Sequence, residues 1–332
     1  MNQNMQLGGN QVLKILNKQK AVIAIALVLI VMIFPDSNFY TAGNISNLLE
    51  AVATNAIIAF GVTLAVICKG CDLSVGSVMA MSGIIAILLI NTGMNMALAV
   101  VIAILSGALV GFVNGFLIVQ QKSEAFIITL GMGMLIQGVA LLLTDGRPVA
   151  VPRDMGLGFQ TIANGSLVRI PGFFYVPNIA TFMVILGVLA YLLLRFTSFG
   201  RNIYALGGDY EVAEHSGINV VATKWLAFVI TGAFAAIAGV LAASRMNTGI
   251  PIAGVEIPLM VNCGVVIGGT SFAGGVGGIP QSFLGVFVMF LLRNAMSIMG
   301  IHPYIQMLVL GIMIVTIIAL DCYAIKRKKE AV

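Results

Sequence analysis

Apolar positions in this chain fall in long unbroken runs instead of recurring at every second place. Reading runs and breakers together marks ten segments: Ala21–Phe34, Leu48–Ile67, Val75–Ile90, Ala97–Val119, Ala125–Thr144, Ile179–Leu194, Trp225–Ser244, Leu259–Gly269, Gln281–Ile298 and Tyr304–Cys322. A bilayer core takes about 20 apolar residues per helical crossing. The pattern therefore predicts an all-α, polytopic membrane protein with about ten transmembrane helices, some of them broken by glycine-rich turns. A transmembrane barrel would show alternation in short stretches, and it is excluded on that ground. The eighth run is too short to cross alone as a straight helix. The first is also short and, with Lys14, Lys18 and Lys20 before it, has the look of a signal peptide. Because nine further runs follow, it is read as a retained anchor. The whole chain, 1–332, reads as a single membrane domain. Its polar parts are a tail over 1–20, a long connection over 145–178, a second over 197–223, and a basic tail over 323–332.

Composition agrees with the pattern and narrows the function. Hydrophobic residues make up 60% of the chain and charged residues 9%, against about 25% charged in soluble domains. So few polar groups cannot cover a water-facing surface of this size. A soluble enzyme, a disordered chain and a nucleic-acid module are excluded, despite a net charge of +5. The cysteines at 68, 71, 263 and 322 lie in or beside apolar runs, where a thiol packs as a small hydrophobe. Cys68 and Cys71 form a C-x-x-C, but a zinc site would want a second such pair, and none is present.

Lys and Arg set the orientation. With the N-terminus inside, Lys14, Lys18, Lys20, Lys69, Lys122, Arg195, Arg201, Lys224 and Lys326–Lys329 lie on the cytoplasmic side, while only Arg147, Arg153, Arg169 and Arg245 fall outside. An even number of spans returns the basic C-terminus to the same side, so both termini are expected in the cytoplasm. Within the external connection, burying Asp145, Arg147, Arg153, Asp154 and Arg169 in hydrocarbon would cost roughly 12–18 kcal/mol. That segment is solvated, as a plain loop or as a docking surface for a soluble partner. In the internal connection, Asp209–Ser216 reads as a two-turn helix. Asp209 caps it, Glu211 suits its positive end and Gly217 fits the left-handed position after its last turn. Such a helix is either a solvated surface element or one covered by another protein.

Two interruptions stand out. Gly70-Cys-Asp-Leu-Ser-Val-Gly76 separates the second and third runs, and Gly268 to Gly278, including Gly269, Thr270, Gly274 and Gly275, separates the eighth and ninth. Both follow an inward span and precede an outward one, as equivalent points of an internal repeat would. Backbone released from a helix at membrane depth must line a water-filled cavity or find protein partners. Asp72 and Ser74 are candidate caps of the third span, and a gate or a contact with a cytoplasmic partner is the functional alternative. Gly107, Gly111 and Gly115 repeat every fourth residue, and Gly264-x-x-x-Gly268 repeats the spacing; both mark close helix packing and carry no information about substrate.

Catalytic patterns are missing. The two histidines, His215 and His302, fall in the internal helix and in an outside turn, and nothing sets either beside a nucleophile and a carboxylate. No phosphate-binding G-x-x-x-x-G-K-[ST] occurs, so an ATP-driven pump would need another chain to bind nucleotide. A proton- or sodium-coupled transporter places carboxylates near the midplane, whereas Glu50 and Glu124 lie at span ends, Glu256 lies outside and Arg293 is near enough to an outer end to snorkel. No cofactor is implied.

At the two interruptions and the internal helix the chain resembles the permease subunits of bacterial ATP-binding-cassette importers for ribose and other simple sugars. The family's G-G-I-D-L-S-V-G-S reads here as Lys69-Gly-Cys-Asp-Leu-Ser-Val-Gly-Ser77, with Lys69 for the first Gly and Cys71 for Ile. The family's internal loop resembles Phe199 to Ile218, with Asp209 for a common Asn, and its late glycine turn resembles Val266 to Gly277. Three motifs in order, over a match from about Asn44 to the tenth run, make this a specific signal. The resemblance implies a paired permease, as a homodimer or heterodimer, two cytoplasmic ATPase chains and an external sugar-binding protein, all at the bacterial cytoplasmic membrane. It assigns Asp209, Glu211, Glu214, His215, Ser216 and Gly217 to the helix that couples to the ATPase. An ion-coupled secondary transporter and a non-transport membrane scaffold are the competing readings.

Overall fold

In the computed structural model, residues 37–121, 123–166, 168–170 and 174–329 are described. The expected first span, the tail over 1–20 and Lys122 lie outside these residues. After a short 3-10 turn at Ser37–Tyr40, helix α1 runs over Ala42–Ile67. It is 89% buried over its most apolar stretch, an apolar helix enclosed on all sides, and every residue from Val52 to Ile67 lies inside. The other elements follow in order: α2 (Val75–Asn91), α3 (Met96–Gln120), α4 (Ala125–Thr144), β1 (Val149–Ala150), α5 (Arg153–Asn164), β2 (Val168–Ile170), β3 (Phe174–Val176), α6 (Asn178–Phe196), α7 (Ser198–Gly208), α8 (Tyr210–His215), α9 (Val220–Met246), β4 (Thr248–Gly249), α10 (Ile257–Ile267), α11 (Ile279–Ile298) and α12 (Pro303–Lys329), and α6, α9, α10 and α11 pack around α1.

Six helices, α1, α3, α4, α6, α9 and α11, are long and apolar enough to cross a membrane, and α2, α10 and the described apolar part of α12 are shorter. The described residues therefore do not reach the expected count of about ten. The first expected span lies outside the described residues, α2 has 17 residues, α12 is counted only as far as Thr316, and α10 is short because of the chain path. β1 pairs with β4, and from Gly249 the chain runs back along α2, with Gly249 against Ile84 and Gly254 against Gly76. Eight residues of α2 correspond to about 12 Å, so α10 starts well inside the bundle and needs only 11 residues to reach its end.

Three further features add detail. The described residues are mostly helical, as expected, and among them four strands of two or three residues form two small antiparallel ladders, β1 with β4 and β2 with β3. Strands can form there because these connections sit outside the apolar spans. The connection over 145–178 is largely structured, because Phe159 and Ala163 of α5 are buried and Ser244 of α9 bonds Ala163 and Phe159 (Ala163 N to Ser244 Oγ 3.1 Å; Ser244 Oγ to Phe159 O 2.7 Å). Helix continues through much of the expected tail, to Lys329.

The bilayer-facing helices are recognisable by their exposed side chains. Leu105, Leu109, Met134, Leu142, Val184 and Leu189 of α3, α4 and α6 all point outward, as large apolar residues do where lipid is the solvent. Between helices the packing is close. On α3, Gly107 faces Gly232 and Ala236 of α9, Gly111 faces the Phe228 carbonyl and Gly115 faces Trp225. Gly264 and Gly268 of α10 meet Val286 and Gln281 of α11 in the same manner.

Candidate functional site

Both interruptions and the helix pair α7–α8 come together at one end of the bundle. α1 ends there at Ile67, whose carbonyl accepts from the N–H of Gly275 (2.8 Å) in the late glycine turn. Gly207 of α7 lies against both atoms of that bond, where any side chain would collide. Tyr204 of α7 donates its hydroxyl to the Gly277 carbonyl (2.8 Å), and Lys69 reaches the Gly208 carbonyl (3.4 Å). Burial raises the Tyr204 phenol above its usual range, with Arg195 opposing the rise, so the hydroxyl stays a donor. Gly274 and Gly275 hold φ of +81° and +71°, a left-handed pair that side-chain-bearing residues would strain. This turn touches both the central helix and α7.

The first interruption is not a surface loop. Asn114 lies six residues from the end of α3, Thr129 four residues into α4 and Asn262 five residues from the end of α10, so the segment they hold sits about 6–9 Å inside those helix ends. Each of the three satisfies released backbone or side-chain groups. Thr129 Oγ1 donates to the Cys71 carbonyl (3.0 Å) and accepts from Leu73 N (3.1 Å). Asn262 donates to the Asp72 carbonyl (3.1 Å) and to its own Pro258 carbonyl (2.8 Å). Asn114 donates to Ser74 Oγ (2.9 Å), which donates to Asp72 Oδ1 (2.6 Å). Asp72 Oδ1 also accepts from Ser74 N (2.8 Å). Asp72 and Ser74 are each 1% exposed, and a group buried that deeply is tolerated only with such partners. Ser74 makes no capping bond to α2; its hydroxyl is held between Asp72 and Asn114, which corrects its expected role.

At the second interruption Thr270 and Ser282 share a bond of 3.1 Å, and Thr63 of α1 donates to Ser282 (2.7 Å). Gly70 packs against Phe228, Gly76 against Gly254 and Pro258, and Gly269 has open space around it at φ +109°. Asn114, Thr129, Asn262, Thr63 and Ser282 were not singled out in the sequence. The available signal was a lone amide or hydroxyl inside an apolar run, as at Asn262, though nothing along the chain says what it faces.

Helix α8 projects from this end. Asp209 Oδ1 accepts from Val212 N (3.1 Å), Ile218 N returns to the Ala213 carbonyl (3.2 Å) and Gly217 has φ +81°. Only Ala213 is buried; Tyr210, Glu211, Val212, Glu214, His215 and Ser216 are exposed. The preceding α7, capped by Thr197, is a separate helix that the sequence reading merged into one connection. At the opposite end Glu50 pairs with Arg245 (3.2 Å) and Asn44 and Asn294 bond reciprocally, while Glu256, at the start of α10, pairs with Arg293 (3.5 Å). Arg293 thus has a carboxylate partner as well as a route to the surface. Among the described residues no group of three His, Cys, Asp or Glu is placed to hold a metal ion.

Known proteins give this arrangement a context. The family described as the branched-chain amino acid transport system permease component matches residues 44–318. The ribose import permease protein of Haemophilus influenzae is 34% identical over 321 residues, 96% of each chain. That of Bacillus subtilis is 36% identical over 305 residues, 92% of this chain and 91% of the relative. The galactose/methyl galactoside import permease protein of Salmonella typhimurium is 30% identical over 325 residues, 94% of this chain and 96% of the relative. No solved structure matches. With six membrane-length helices among the described residues, two breaks held by buried polar side chains or glycines, and a match of this extent, the chain is a multi-pass membrane protein that belongs to the transport-system permease component family.

Proposed function

We propose that the chain is the permease subunit of an ATP-binding-cassette importer, forming the membrane path for a simple sugar. Relatives named for ribose and galactose import match it over more than nine-tenths of its length, and that is the observation carrying the reading. The family description names branched-chain amino acids, but full-length relatives at 30–36% identity are more informative about cargo than a profile covering many branches. The substrate class is therefore a ribose-like monosaccharide.

In this reading the chain crosses the cytoplasmic membrane about ten times with both termini inside, and the end bearing α7, α8 and the two interruptions faces the cytoplasm. The distribution of Lys and Arg supports that orientation. Helix α8 docks on a separate ATPase subunit: Val212 and Tyr210 are exposed apolar side chains beside exposed Glu211 and Glu214, a surface that suits a protein partner better than water. Closure of the ATPase pair would push α8. α7 would pass the motion through Gly207 and Tyr204 to the late glycine turn and so to α1, rocking the bundle between outward- and inward-open states. A second permease chain and an external binding protein complete the assembly, and sugar specificity lies mostly in the latter.

Reconstitution in vesicles with the ATPase chains and the binding protein tests this. Labelled ribose should accumulate with ATP and fail to accumulate when either partner is left out. Accumulation driven by a proton or sodium gradient, with no ATPase present, would favour the secondary-transporter alternative and overturn the proposal.

A further inference from the structure

Between α1, α6 and α11 runs an apolar groove of about 390 Å³, lined by Phe60, Met183, Gly187, Val188 and Phe283 among others. At Tyr191, Ile279 and Pro280 it meets a second cavity of about 460 Å³, and both fall within the size range of ligand pockets. The two halves differ in chemistry. The second is lined by Arg195, Arg201, Tyr204 and the first turn of α11, with no carboxylate among its described lining residues. The ion pairs among the described residues are Glu50–Arg245 and Glu256–Arg293, so neither arginine is neutralised. Gly278 cannot cap α11 with a side chain, so although Pro280 lacks an N–H, the first turn of this 20-residue helix, Ile279 to Gln281, brings its positive end to the same cavity.

Depth fits as well. From Tyr191 to Met183 the groove follows eight residues of α6, about 12 Å, close to the roughly 15 Å of one leaflet's hydrocarbon. Tyr191, 41% exposed, sits at the junction of apolar and polar halves, the place where aromatic rings mark a membrane interface.

We propose that this continuous groove holds one anionic phospholipid, its phosphate between Arg195, Arg201 and the α11 N-terminus and one acyl chain against Phe60, Gly187 and Phe283. Charge complementarity commits the site to an anionic headgroup, and the apolar extension commits it to a lipid over free phosphate. Assignment to the inner leaflet rests on the orientation proposed above; the groove itself does not.

Native mass spectrometry of the full chain, released from nanodiscs of equimolar phosphatidylglycerol and phosphatidylcholine, reads the occupancy. The wild type should retain one phosphatidylglycerol. Arg195→Gln with Arg201→Gln should lower that retention by roughly tenfold or more, and Arg195→Lys with Arg201→Lys should keep most of it. Val188→Trp, which fills the apolar half with both arginines intact, should also lower it. Equal retention of the two lipids by the wild type, or unchanged phosphatidylglycerol in the double Gln variant, would overturn the site. So would loss of co-purifying ATPase chains by the double Gln variant with lipid retained, because the arginines would then face protein. Labelling a Phe196→Cys variant with an impermeant thiol reagent separates the two readings: reaction from the cytoplasm supports the inner leaflet, and reaction from outside overturns that placement and the orientation together.

Discussion

Asn262 donates to the carbonyl of Pro258 in its own helix and to the Asp72 carbonyl in the interrupted segment, which no helix ladder reaches. Removing the amide leaves the Asp72 carbonyl without this donor inside the bundle. Hydrogen bonds between membrane helices contribute roughly 0.6–1.7 kcal/mol each, so Asn262→Leu should lower the melting temperature of the detergent-solubilised protein measurably. Thr129→Val should do the same, since Thr129 bridges Cys71 and Leu73. At Gly217 the constraint is conformational: φ of +81° lies far from the roughly −65° that a proline ring imposes. Gly217→Pro is expected to disturb the end of α8 and abolish ATP-dependent uptake while the protein still inserts, checked by uptake and by membrane yield. Wild-type uptake would remove α8 from the coupling path.

Among elements, the decisive contact is α3 on α9. Gly111 lies against the Phe228 carbonyl, a backbone atom that cannot swing aside, whereas Gly131 of α4 has open space where its Cβ would sit. The same substitution at the two sites should therefore give opposite results. Gly111→Ala forces the helices apart and should cost about 1–3 kcal/mol; Gly131→Ala should fall within about 0.5 kcal/mol of neutral. Thermal unfolding followed by size-exclusion chromatography distinguishes them. The four-residue glycine spacing was readable in the sequence, because a helix places residues 107, 111 and 115 on one face. Which helix fills that face was not, since α9 lies more than a hundred residues away.

For the whole molecule, the two interruptions, α7 and α8 lie together at one end, joined by direct contacts. Glu211→Lys with Glu214→Lys changes only exposed side chains of α8, so it should leave folding intact and uncouple ATP hydrolysis from uptake. Hydrolysis by the assembled complex and labelled-sugar accumulation, measured side by side, check this. Retained accumulation in the double variant would mean that the ATPase docks elsewhere.

The chain's own order of residues was enough to determine a helical membrane protein, most span centres and the capped helix after Asp209. Those features depend on local composition and on side chains reaching backbone within four residues. Arg195 and Arg201 were visible only as positive charge, and their lack of a carboxylate partner among the described residues is a property of the assembled bundle. The same holds for the half-length α10, the structured connection around α5 and the polar clamp on Asp72–Ser74. Each arises where segments far apart in sequence meet, and water-free surroundings then select which buried polar groups are tolerated. Periodicity along one segment carries no record of what faces it, so only the tertiary structure could decide them.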